Sequence, residues 1–186
     1  MTLNQDDLRL LGHWGADCAE RVLPLFEAKA PADPRPREAI AGIRAYANGG
    51  KRTQQLRKLV WVAMAAAREM NDPAAAAAAR AAYSAAGVAY MHAIYRPGQE
   101  KHALGAAMYA ALACEAAAGD PAAADTEIRW AINHAALTVR KIIRQLPPRT
   151  AGRSRQNALY YQLDSGLRQN PRKAKSATSQ RHRAPR

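Results

Sequence analysis

The chain has 186 residues, enough for one domain, or one domain with an appendage, that buries a core without disulfide or metal staples. Two cysteines, Cys18 and Cys114, exclude a disulfide framework and a zinc ribbon, and no apolar run approaches the ~18 residues of a membrane span. The net charge of +13 is uneven: residues 1–146 hold 18 Lys and Arg against 14 Asp and Glu, whereas residues 147–186 hold 10 against 1, so any argument for an anionic partner starts from the C-terminal end.

The opening Met1–Asp7 is polar and acidic, unlike a secretory signal, and with two unpaired cysteines it points to a reducing, cytoplasmic setting. Alanine fills about a quarter of the positions, and its runs are punctuated by Asp33-Pro34, Asp72-Pro73 and Asp120-Pro121. An aspartate accepts the unpaired N–H groups of a first helical turn, and a following proline needs no N–H partner, so each pair marks a helix start. The first helix is expected from Asp6 to about Lys29, with Leu8, Leu11, Trp14, Cys18, Val22 and Phe26 in one apolar stripe. Pro24 removes the bond to the Glu20 carbonyl and should kink or restart this helix. The second runs from Pro34 to Ala47, capped by Asp33 and closed by Asn48-Gly49-Gly50. The third runs from Thr53 to Met70 on a stripe of Leu56, Leu59, Val60, Ala63, Ala67 and Met70, with Trp61 beside it. The fourth opens at Pro73 and continues to about Tyr95; the fifth covers Gln99–Ala118; the sixth runs from Pro121 to Leu146 on Ile128, Ile132, Ala135, Val139, Ile142 and Leu146. Pro147-Pro148 stops it.

The expected fold is therefore all-α: a compact bundle of about six helices arranged as hairpins over residues 1–146, followed by a basic, largely disordered tail over 147–186. The tail leaves room for a short helix over 154–167 and should add nothing to the fold of the body.

Chemistry-bearing motifs are sparse. Gly49-Gly50-Lys51-Arg52-Thr53 lacks the preceding glycine and strand of a phosphate loop and reads as a helix–helix turn. Of His13, His92, His102, His134 and His182, only His92 and His102, with Glu100 between them, suggest a metal cluster, and no helix carries two ligands at the required spacing. The reading is accordingly non-enzymatic, with no cofactor and no metal. Asp17 and Arg21 stand four apart, acid first, beside the buried stripe, so Asp17 should pair with Arg21 or another core-facing arginine. Arg129 and Trp130 flank Ile128, a combination enriched in interface anchors. In the tail, Arg168, Arg172, Lys173, Lys175, Arg181 and Arg183 are candidate phosphate contacts, the basis of an alternative reading as a nucleic-acid-associated protein.

Five segments, Leu8–Glu27, Asp33–Tyr46, Ala65–Glu69, His102–Ala113 and Glu127–Trp130, resemble in the same order the Imm-5-like putative immunity proteins of bacteria. These are small all-α proteins assigned to polymorphic-toxin immunity loci. The run Trp-x-x-Asp-Cys-Ala-Glu, here Trp14–Glu20, is the most specific part. The resemblance implies stoichiometric binding and neutralisation of a cognate toxin. It points to Trp14, Asp17, Cys18, Glu20, Arg37, His102, Tyr109, Arg129 and Trp130, to which the neighbouring Arg21 is added. After Leu146 the chain departs from the family pattern, and a cationic tail would suit an acidic toxin surface or a second, nucleic-acid role.

Overall fold

The computed structural model describes residues 2–94 and 98–169. Among them are eight α-helices: α1 (Gln5–Glu27), α2 (Arg35–Ala47), α3 (Gln54–Glu69), α4 (Pro73–Gly87), α5 (Gln99–Ala118), α6 (Pro121–His134), α7 (Leu137–Gln145) and α8 (Arg155–Arg168). No strand occurs among the described residues; a single antiparallel bridge joins Thr2 to Ile94.

The helix starts follow their caps. The Asp72 and Asp120 side chains accept from the Ala75 and Ala122 N–H groups, each with proline at the first helical position. Asp33 sits one residue further out than expected: Pro34 takes the cap position, and Asp33 accepts from the Arg35 backbone and holds its guanidinium. The α2–α3 turn needs glycine. Gly49 has φ +102°, and a Cβ on Gly50 would stand 2.6 Å from the Ala45 carbonyl oxygen.

α4 is the centre of the fold. Eleven of its 15 residues, nearly all alanine, are buried, and it packs against α1, α2, α3 and α5. A helix that is apolar all round has no solvent face to spare, and alanine lets its neighbours approach closely. α5 is similarly enclosed by α1, α4, α6 and α8, and Gly105 brings its backbone against Ser84.

Four expectations are corrected or narrowed. Of the kink or restart expected at Pro24, the restart does not occur: α1 continues to Glu27, with Val22, Leu23 and Phe26 buried on either side of the missing bond. α4 ends at Gly87 rather than Tyr95. A 3-10 turn, Val88–Tyr90, comes next, and the chain is then drawn towards the N-terminus, where the Leu3 N–H donates to the Ala93 carbonyl. The sixth predicted helix is two, parted at Ala135-Ala136. Arg140, buried in α7, turns back and donates to the carbonyls of Ile132 and Ala135, satisfying the end of α6. The count is thus eight rather than about six.

The fourth correction concerns residues 147–169. The short helix is present as α8, and it belongs to the core: Leu159, Tyr160, Leu163 and Leu167 are buried, and α8 packs on α5, α6 and α7. Arg168 donates to the Ile143, Arg144 and Leu146 carbonyls at the end of α7, while Arg144 donates to the Arg168 and Gln169 carbonyls at the end of α8. Each helix therefore caps the other's C-terminus with a cation, where the helix dipole is negative. Arg149 and Arg155 are likewise spent on the body, paired with Glu100 and Glu115 at 2.9 and 2.7 Å. The expected turn at Arg96-Pro97 and the expected disorder beyond Gln169 lie outside the described residues.

Candidate functional site

Two surface regions collect the predicted residues. The first joins α1, α2 and α6. Positions 14, 17, 18 and 21 share one face of α1, and positions 127, 130, 131 and 134 share one face of α6, the i, i+3, i+4, i+7 spacing of a helical stripe. Trp14 is buried, and its indole N–H donates to the Ala131 carbonyl at 3.1 Å. Arg21 does not pair with Asp17. It forms a bidentate pair with Glu127, Nε to Oε1 at 2.8 Å and Nη2 to Oε2 at 3.0 Å. That pairing raises the Arg21 pKa. Its guanidinium lies 3.9 Å from the centre of the Trp130 ring, and the ring stacks on His134 at 4.5 Å. His134 Nε2 meets Asp17 at 2.7 Å. Asp17 also meets Arg44 of α2 at 2.6 Å, and Arg44 holds Glu20 through two bonds of 3.0 and 2.6 Å. A continuous chain of contacts thus runs Glu20, Arg44, Asp17, His134, Trp130, Arg21, Glu127.

This arrangement holds helices together. Each charged member is matched by an opposite charge or an aromatic face. Cys18 lies beneath it, fully buried; burial, reinforced by the charges of Glu127 and Asp17, pushes its thiol well above the ordinary range, the opposite of what a nucleophile needs. Arg44, His134 and Glu127 were missing from the expected site. Nothing in the sequence links them to Asp17 and Arg21, because these partners are 27 to 117 residues apart. Arg37 is further along α2, exposed and paired with Glu27 at 2.7 Å; Arg129 is exposed and donates to Thr126 at 2.9 Å.

The second region lies along α3, α4 and α5. A cavity of about 600 Å³ is lined by Val60, Trp61, Tyr83, Tyr90, Met91 and His102 among others. It adjoins one of about 750 Å³ that shares Arg57, Trp61, Tyr90, Met91 and His92 and adds Arg52 and Lys58. On the other side, Tyr83 and His102 are shared with a cavity of about 230 Å³ that includes Tyr109, Gln156 and Tyr160. His92 and His102 thus line one cavity, although His92 lies on irregular chain rather than at a helix end. The His102 pKa is lowered, first by desolvation and then by His92, against the opposing pull of Glu100. Tyr109 accepts a bond from Gln156 at 3.1 Å. No group of three or more His, Cys, Asp or Glu among the described residues is placed to hold a metal. Trp61 is the largest residue missed here; its position beside the α3 stripe, rather than within it, was the available signal. Of the candidate phosphate contacts, Arg168 is held by Asp164 and the α7 carbonyls, and Arg172, Lys173, Lys175, Arg181 and Arg183 lie outside the described residues. Among the described residues no helix is long and apolar enough to cross a membrane.

In comparison with known families, the model of the family described as Imm-5 like putative immunity protein matches residues 1–138. The chain belongs to this family. No curated protein and no solved structure matches it.

Proposed function

We propose that this chain is an immunity protein that neutralises a cognate bacterial toxin by stoichiometric binding, without catalysis. The observation that carries this is the family match, which runs from the first residue into the start of α7. The geometry of the motif residues supports it. Trp14, Asp17, Glu20 and Arg21 are spent on joining α1, α2 and α6, so they serve as the frame that positions a binding face. Trp130 closes that frame, with Arg37 and Arg129 at its exposed edge. Two other family-motif residues, His102 and Tyr109, line the cavities along α3–α5. That side is the contact face in this reading, because it combines concave apolar surface with an exposed aromatic.

Co-expression with the product of the gene directly upstream tests the proposal. Restored growth and a 1:1 complex on co-purification are expected. A folded chain that neither protects nor associates would overturn it. The nucleic-acid alternative now rests on residues 170–186, since Arg149, Arg155 and Arg168 are engaged within the fold. It predicts affinity for DNA or RNA that collapses between low and moderate salt.

A further inference from the structure

Resting on the reading of a protein partner, we infer that the groove at the N-terminal end of α3 receives an acidic segment of that partner, with one large apolar side chain seated in the cavity behind Trp61.

Trp61 is 63% exposed, whereas Trp14 is buried and Trp130 is held between Arg21 and His134. An indole left open at the mouth of an apolar cavity costs solvation in the free protein and is regained when a partner covers it. The walls are already fixed. The Tyr90 hydroxyl donates to the Thr53 carbonyl at 2.7 Å, Arg57 lies 4.9 Å over the Tyr90 ring, and Met91 is buried. A cavity of about 600 Å³ has room for a leucine- or phenylalanine-sized group, which would seat against Val60, Trp61, Tyr83 and Met91, with Arg57, His92 and His102 also in the lining.

Charge sets the flanking chemistry. The adjoining cavity is lined by Arg52, Arg57 and Lys58 and, among the described residues, by no Asp or Glu. α3 also has no acidic residue in its first turn, so the positive end of its dipole adds to these cations rather than being neutralised. A free helix is less stable for that arrangement, and a carboxylate-bearing partner reverses the deficit. The chain's own residues 170–186 contain no Asp or Glu and cannot supply the acidic segment. A single cluster of three cations beside a largely apolar cavity fits a short acidic peptide better than a nucleic-acid strand, which calls for a longer basic track.

The full-length protein is titrated with acetyl-Asp-Glu-Leu-Glu-Asp-amide while the three indole N–H resonances are followed by NMR, that of Trp61 being assigned with Trp61→Phe. The expected result is a saturable shift of the Trp61 resonance with Trp14 unmoved, a weaker effect when the central Leu is Ala, and none with Lys-Arg-Leu-Arg-Lys. Gln54→Glu combined with Lys58→Glu, both at exposed positions, should weaken binding by about tenfold or more while leaving the melting temperature equal or higher. No Trp61 shift at millimolar peptide overturns the proposal. So does a preference for single-stranded oligothymidylate, or a dimer in sedimentation that Trp61→Ala dissociates, since the occupant is then nucleic acid or a second copy. If the double variant protects cells from the upstream toxin as well as the parent does, the groove is wrong and the immunity reading stands. If the parent gives no protection but binds the acidic peptide, the groove stands and the immunity reading falls.

Discussion

Arg21 and Glu127 form the best-defined side-chain pair between α1 and α6, and their exposures differ sharply: the Glu127 side chain is 5% exposed and that of Arg21 41%. The consequence is an asymmetry on mutation. Arg21→Ala strands a carboxylate that has almost no access to water and uncovers Trp130, so it should cost about 2–3 kcal/mol, below the full range for breaking a buried pair because Arg21 itself is half exposed. Glu127→Gln leaves an arginine that can still turn to solvent and stack on Trp130, and should cost about 1 kcal/mol. Chemical denaturation of the two variants measures the difference. Equal costs would mean that the pair is not anchored by the burial of Glu127.

Asp17 bridges two helices by different means, an ion pair to Arg44 and a contact to His134. Its side chain is 30% exposed, so it is less protected than Glu127. Asp17→Ala is expected to lower stability by about 1–2 kcal/mol, a charged hydrogen-bonded group of intermediate exposure rather than a buried pair. A double-mutant cycle with Arg44→Ala should return a coupling of at least about 0.5 kcal/mol, whereas the same cycle with Arg21→Ala should be closer to additive because Arg21 is spent on Glu127.

The helix starts at Asp72 and Asp120 were legible because capping is local: one aspartate and one proline are enough to fix them. The buried stripe of α1 was legible for a similar reason, periodicity within one element. The break between α6 and α7 was not, because Ile128, Ile132, Val139 and Ile142 keep helical spacing straight across it. At that break Arg140 folds back onto the Ile132 and Ala135 carbonyls and reaches the Gly166 carbonyl of α8, contacts that hydrophobic periodicity does not register. α8 was legible as a helix and misread as an appendage, since the basic charge of this stretch hid that Arg149 and Arg155 have acidic partners in the body and that Arg168, held by Asp164 of α8 itself, reaches the α7 carbonyls. The α1–α2–α6 cluster was half legible: Trp14, Asp17 and Arg21 stood out, but which charge meets which depends on packing between distant segments.

The cap at Asp72 carries a pH dependence of definite sign. Its carboxylate accepts the Ala75 N–H at 2.9 Å, and this bond, with a smaller contribution from Lys29, holds its pKa below the usual aspartate value. A carboxylate more acidic when folded than when unfolded stabilises the fold fully above its unfolded pKa, near pH 4, and loses that contribution as pH falls through the lowered folded value. Asp72→Asn, which can still accept the Ala75 N–H, should melt close to the parent at pH 7 and lose less stability than the parent on acidification below pH 4. Asp72→Ala should melt lower than both at pH 7. Parallel pH–stability curves for parent and Asn variant would argue that the charge at this cap is immaterial.

Two truncations separate the contribution of α8 from that of the residues beyond it. A chain ending at Leu146 loses α8 and with it the buried side chains of Leu159, Tyr160, Leu163 and Leu167. At about 1.5–3 kcal/mol for each large apolar side chain, that removes about 6–12 kcal/mol, comparable with the entire net stability of about 5–15 kcal/mol of an ordinary domain. The same cut leaves the Ile143 and Leu146 carbonyls of α7 without Arg168, and Glu100 without Arg149 at a site where both side chains are only 12% exposed. This chain should therefore show no cooperative melt at room temperature or above, and toxin protection should be lost with the fold. A chain ending at Gln169 keeps every described core residue and both arginine caps. Its melting temperature should move by less than the roughly 2–4 °C that 1 kcal/mol produces in a chain of this size. Protection should also survive this second cut, since the family match ends at residue 138 and the groove along α3–α5 is untouched. A Leu146 truncation that melts like the parent would show that α8 is the appendage its composition suggested, and that the buried contacts on α5 and α6 contribute nothing.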